Sequence, residues 1–94
     1  MTIINEHHAD GSGQLVLARD GVRLGTLDYR RAGNGPLYID YVEVLPSLRG
    51  GGVGRRLVEA AVTWARESQT TIVPICSYSR SVIEGDAALR DVLR

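Results

Sequence analysis

There is no lysine in this chain of 94 residues; all 11 of its basic side chains are arginine. A Walker-type phosphate loop needs Lys after its last Gly, so that chemistry is excluded. The single cysteine, Cys76, rules out an internal disulfide and points to a reducing compartment. An excess of one charge is missing too. Eleven basic and 11 acidic side chains cancel, which argues against a dedicated nucleic-acid binder. No apolar run approaches the roughly 20 residues of a membrane span. The start, Met1 to Glu6, lacks a basic region followed by an apolar stretch, so no secretory leader is read there. His7 and His8 have no third ligand at metal-site spacing, and a solvated pair without metal is expected. These absences leave one small cytoplasmic domain over residues 1–94, burying roughly 60% of its unfolded surface, with no nucleic-acid or membrane partner.

What is present centres on Leu48-Arg49-Gly50-Gly51-Gly52-Val53-Gly54-Arg55-Arg56. Before it, Leu37 to Leu45 is rich in β-branched and aromatic residues and stops at Pro46, as a strand would. After it, Val53, Leu57, Ala61, Trp64 and Ala65 recur at the spacing of a helix with one buried stripe, which places Trp64 in the core. A glycine loop between a strand and a helix is an anion site. Its unpaired N–H groups point outward and the helix dipole adds roughly half a positive charge. A Rossmann fingerprint does not fit. Leu57 stands where its third Gly or Ala belongs, and Pro74 and Ile75 stand where the acidic residue should be. Arg49-Gly50-Gly51-Gly52-Val53-Gly54 instead matches every position of the pattern Gln/Arg-x-x-Gly-x-Gly/Ala.

Along the chain, residues 1–13 are polar and read as a flexible lead-in. Gln14 to Arg19 is a short strand, and Asp20-Gly21 is a hairpin turn. Val22 to Arg30 returns as a second strand, with Gly25 marking a bulge. Pro36 to Leu45 is the third. A helix runs from the loop to about Ser68. Thr70 to Cys76 is a fourth strand, parallel to the third because a helix crosses between them, and Pro74 should break its pairing. Ser77 to Glu84 reads as a short helix with Ser77 as its N-cap, and Asp86 is expected to cap a last turn. The expected class is α+β: an antiparallel meander, a glycine loop, a helix, a parallel strand and short C-terminal helices.

Val44-Leu45-Pro46-Ser47-Leu48-Arg49-Gly50 resembles the Val-x-Pro-x-x-Arg-Gly approach to the pyrophosphate loop of the GNAT superfamily of acyl-CoA-dependent N-acyltransferases. The order Ile39-Asp40, Leu48-Arg49-Gly50, Ala65-Arg66 and Val73-Pro74-Ile75-Cys76-x-Tyr78 is similar to a small single-domain branch of that superfamily, over about Gln14 to Leu93. The branch usually has Asp-His-Thr-x-Val where this chain has Asp40-Tyr41-Val42-Glu43-Val44, and Pro where it has Ser77. It often ends in His-Pro-Glu-Tyr, replaced here by Glu84-Gly85-Asp86-Ala87.

The resemblance implies an acetyltransferase moving an acetyl group from acetyl-CoA to an amine of unknown identity, without metal. The alternative is an acyl-CoA-binding module or regulatory protein with little catalysis. By the same resemblance, the third and fourth strands splay and the pantetheine arm pairs with backbone at Val42 and Val44. The pyrophosphate would rest on the N–H groups of Gly50, Gly51, Gly52, Val53 and Gly54, with Arg49, Arg55 or Arg56 beside it. Three residues are candidates for chemistry. Cys76 could be a covalent acyl carrier or a buried apolar residue. Tyr78 could protonate the leaving thiolate or stack on core or cofactor, and Glu43 could take the amine's proton through water or merely face solvent.

Overall fold

The computed structural model describes residues 1–94. Five strands form one sheet in the order of the chain: β1 (Thr2–His7), β2 (Ser12–Arg19), β3 (Val22–Arg30), β4 (Leu37–Val44) and β5 (Ile72–Pro74). The first four are antiparallel neighbours, and β5 is parallel to β4. A short 3-10 turn over Pro46–Leu48 follows β4. Helix α1 (Val53–Glu67) crosses one face of the sheet, α2 (Ser77–Glu84) follows β5, and a 3-10 turn over Arg90–Val92 ends the fold.

Alternation explains which residues meet. Leu15 and Leu17 of β2, Leu27 and Tyr29 of β3, and Leu37 and Ile39 of β4 point to one face. Against them α1 lays Val53, Leu57, Val58, Ala61, Val62 and Ala65. Full burial of an aliphatic side chain such as Leu57 contributes about 1.5–3 kcal/mol. Trp64 is half-buried at the margin of this core, its ring edge-on to Tyr29 with centroids 4.8 Å apart.

Gly25 decides how close the helix comes. A Cβ there would lie 2.9 Å from both Val53 Cγ1 and the Glu43 carbonyl oxygen, so only glycine lets the first turn of α1 settle on the sheet. The expected bulge is beside it: Leu17 pairs with Gly25 and Ala18 with Arg23, leaving Leu24 as the extra residue. The hairpin turn is also as expected, with positive φ at Asp20 (51°) and Gly21 (79°), as a type I′ turn requires.

Several local expectations change. Residues 2–7, expected as part of a flexible lead-in, form β1, paired with β2 at every position although all six stay exposed. No burial pattern announces such a strand. Its anchor is Tyr29, whose buried hydroxyl donates to Asn5 Oδ1, so His7 Nδ1–H, 3.0 Å away, is the donor to that oxygen. His7 is therefore tied to Tyr29 rather than simply solvated. Burial raises the Tyr29 pKa, with the bond to Asn5 working against the rise. The fourth expected strand, Thr70–Cys76, is shorter, Ile72–Pro74. Pro74 still pairs with Ile39, its missing N–H lies on the outer edge, and the ladder ends where Ile75 and Cys76 N–H both turn onto the Ile39 carbonyl. Helix α2 covers the expected residues, but Cys76 rather than Ser77 is its N-cap, without a side-chain cap bond. Asp86 does not cap the last turn, Arg90–Val92, whose N-cap is Leu89 without a side-chain bond; its Oδ1 accepts from Ala88 N–H at 2.9 Å in the bend just before it.

Candidate active site

The site begins where β4 and β5 part. Their pairing runs only from Leu37–Ile72 to Ile39–Pro74. Beyond it the N–H groups of Ile75 and Cys76 both converge on the Ile39 carbonyl, at 3.0 and 3.1 Å, closing the apex of a V. From Asp40 onward the edge of β4 that faced β5 has no strand partner.

A β-bulge sets what that edge offers. Tyr29 pairs with Ile39 but Asp28 pairs with Tyr41, so Asp40 is the extra residue of β4. Leu45 N–H donates to the Leu24 carbonyl, and antiparallel alternation then turns the backbone of Tyr41 and Glu43 toward β3. The N–H and C=O groups of Val42 and Val44 point the other way, into the V. Had the strand continued without the bulge, Tyr41 and Glu43 would have faced the gap instead. Arg30 grips the bulged residue with a bidentate pair to Asp40, at 2.7 and 3.0 Å, while its guanidinium lies 4.6 Å from the Tyr38 ring centroid. The same parity puts the side chains of Tyr41 and Glu43 on the sheet face away from α1, opposite Asp28 and Thr26.

The glycine loop closes the wide end of the V. Gly50 and Gly52 have φ of +82° and +90°, and nothing lies within 4 Å of where either would carry a Cβ. Gly52 is the N-cap of α1, its carbonyl taking the first helical bond from Arg56 N–H at 3.0 Å. The N–H groups of Val53, Gly54 and Arg55 are thus unpaired within the helix. Those of Gly50 and Gly52 have no protein acceptor, whereas Gly51 N–H donates to the Leu48 carbonyl at 3.1 Å. No acidic residue sits in the first turn of α1, so the positive end of its dipole is not neutralised there.

The three arginines separate. Arg49 is exposed and makes no side-chain hydrogen bond or ion pair within the chain. Arg55 is committed to Glu59 at 3.2 Å and to Asp86. Arg56 reaches only Met1 Sδ, at 3.6 Å.

Between the V and the loop lies a groove of about 530 Å³. Of the residues singled out from sequence, Val42, Glu43, Val44, Arg49, Gly50, Gly52, Val53, Gly54 and Tyr78 line it. Gly51, Arg55 and Cys76 are not on its wall. Tyr41 and Leu48 are, and sequence reasoning passed over both; their places next to the splay and the loop were the available signal. Tyr78, in the first turn of α2, lays its ring on Gly54 of α1. Cys76 is half-buried at the foot of α2, where its carbonyl accepts from Arg80 N–H and from Ser79 Oγ at 2.9 Å. No three His, Cys, Asp or Glu side chains gather as a metal site. No helix is long and apolar enough to cross a membrane.

Comparison with known proteins bears on this arrangement. The model of a family described as GCN5-related N-acetyl-transferase matches residues 14–92. No curated protein matches the chain by sequence. Among solved structures, a GCN5-like protein from Staphylococcus aureus is similar with a TM-score of 0.70 and 27% identity, over 99% of this chain and 87% of that one. A GNAT-family protein from Desulfovibrio desulfuricans superposes with a TM-score of 0.64 at 23% identity, over 71% of this chain and 45% of its own, so this chain spans under half its length. An aminoglycoside N-acetyltransferase in complex with CoA shares the fold with a TM-score of 0.62 at 23% identity, over 82% of this chain and 67% of that chain.

Proposed function

Since this chain belongs to the GCN5-related N-acetyltransferase family, we infer that it transfers the acetyl group of acetyl-CoA to an amine, the thioester bound along β4 and its pyrophosphate on the glycine loop. One observation carries the reading. A half-open strand pair with free backbone at Val42 and Val44 leads directly to the unpaired N–H groups before and within the first turn of α1. The fold-sharing aminoglycoside enzyme in complex with CoA supports the choice of ligand.

The residues present fit a thioester with a diphosphate tail. Val42 and Val44 offer the strand-like donors and acceptors that an amide-containing arm needs. The N–H groups of Gly50, Gly52, Val53 and Gly54 surround open space, and Arg49 is free to add a charge-assisted bond of about twice neutral strength. In this reading Gly51 N–H and the Arg55 guanidinium are left out of the ligand set because each already has a partner in the protein, while Arg55 N–H stays open to the phosphate.

Acetyl-CoA supplies an acyl group activated as a thioester. Nitrogen attacks its carbonyl carbon, the C–N bond forms and the C–S bond breaks. Backbone N–H of Val42 or Val44 would hold the oxyanion. Glu43, on the face away from α1, would take the amine's proton through water. Tyr78 would protonate the leaving sulfur and regain its proton from solvent. The groove wall favours direct attack over a route through Cys76, which sits beside the apex rather than on the wall. Intact mass after incubation with acetyl-CoA decides this: an acetyl adduct absent in Cys76→Ser restores the covalent route.

Calorimetric titration with acetyl-CoA and free-thiol release across a panel of amines test the whole reading. Binding plus amine-stimulated release is expected. Absence of binding sinks the assignment. Binding without stimulation by any amine favours the acyl-CoA-binding module, a reading that the exposed Tyr41 and Glu43, with no helix over them, keep in play.

A further inference from the structure

The two edges of the sheet are unequal. The outer edge of β5 is bridged by the C-terminus, where Leu93 pairs with Ile72 and Arg94 N–H donates to the Ile72 carbonyl at 3.2 Å. The outer edge of β1 is bare along Thr2–His7. Natural edge strands are usually guarded by charge, proline or a bulge; β1 has no proline and no bulge, and its one charged side chain, Glu6, is paired with Arg23 of its own sheet.

Which groups β1 presents follows from its register. His8 N–H donates to the Ser12 carbonyl at 2.8 Å, so the even-numbered residues turn their backbone toward β2. Ile3, Asn5 and His7 therefore direct N–H and C=O outward. On the face away from α1, Ile4 is 47% exposed although it stands beside fully buried Val16.

We propose that β1 pairs antiparallel with β1 of a second copy of this chain, joining two sheets across a two-fold axis at Ile4. An antiparallel edge is self-complementary: Ile3 of one copy exchanges both backbone bonds with Asn5 of the other, and the reverse. In this register Ile4 meets its own counterpart in a close, non-hydrogen-bonded pair, and Glu6 faces Thr2 rather than another carboxylate. The register centred on Asn5 would set Ile4 against Glu6 and bury less apolar surface. Six residues of strand edge cover less than the roughly 800 Å² per partner of a standard interface, so the dimer is a concentration-dependent one.

Sedimentation from micromolar to near-millimolar protein tests this. A shift from monomer to dimer is expected, with slowed hydrogen exchange at Ile3 and Asn5 on concentration. Ile3→Pro removes an N–H that serves no bond within the chain, so it should abolish the dimer and keep the circular dichroism spectrum. Ile4→Lys, which sets two charges face to face, should do the same if the proline variant fails to fold. A wild-type protein that stays monomeric throughout, or a dimer that survives a folded variant of either kind, overturns the proposal.

Discussion

The ring of Tyr78 lies so close to Gly54 that a Cβ on the glycine would stand 2.9 Å from the phenol oxygen and 3.0 Å from two ring carbons. This contact locks the first turn of α2 to the first turn of α1 and fixes the hydroxyl in the groove. Gly54→Ala should therefore displace the ring, while Ala gains roughly 1 kcal/mol of helix propensity over Gly. The expected result is a near-unchanged melting temperature with turnover reduced. Tyr78→Phe keeps the packing and should lose about 100-fold or more in kcat with acetyl-CoA affinity intact. Full turnover in Tyr78→Phe would assign the ring to packing alone.

Gly52 tests the loop without crowding it. No atom blocks a side chain there, but φ is +90°, and a left-handed conformation costs an L-residue about 1–2 kcal/mol. Gly52→Val should remain folded with a lower melting temperature and lose measurable acetyl-CoA binding by calorimetry. A folded Gly52→Val protein of native affinity would remove the phosphate from this loop.

Arg49 and Arg55 should behave oppositely. Arg49→Gln is expected to weaken acetyl-CoA binding and flatten its salt dependence, since screening shortens to about 3 Å near 1 M salt. Arg55→Gln breaks exposed pairs worth about 0.2–1 kcal/mol and should leave the affinity alone. Titrations at several ionic strengths separate the two.

The Arg30–Asp40 pair is exposed, so its loss should change stability little. It holds the bulge that turns Val42 and Val44 into the V. Asp40→Ala should thus raise the KM for acetyl-CoA more than it lowers the melting temperature, with Asp40→Glu recovering part of the loss. An unchanged KM would show that the bulge persists without its ion pair.

Arg66 donates to Asp91 and holds its carboxyl below the usual range, tying the last 3-10 turn to α1. A depressed folded pKa stabilises above the unfolded carboxylate pKa, and the contribution fades as pH falls through the folded one. Asp91→Asn should accordingly lower the melting temperature at neutral pH and converge with the native protein in strong acid. A difference that persists in acid would mean that Asp91 acts through packing rather than charge.

Sequence by itself determined what depends on near neighbours. Positive φ at Gly52 before the apolar stripe of α1 and the turn at Asp20-Gly21 are both properties of a few consecutive residues, so the strand–loop–helix unit and its family were legible. Tertiary structure decided the rest, because it rests on partners far along the chain. Strand β1 carries no core-facing pattern and is held by β2 and by Tyr29, 22 residues beyond His7. The bulge at Asp40 exists only against β3, and it alone chooses Val42 and Val44 over Tyr41 and Glu43 as the backbone facing the groove. Arg55 looked equivalent to Arg49 in the sequence until folding brought Asp86, 31 residues on, against it. Local backbone preference writes itself into adjacent letters; which of two like charges stays free is settled only when distant segments pack.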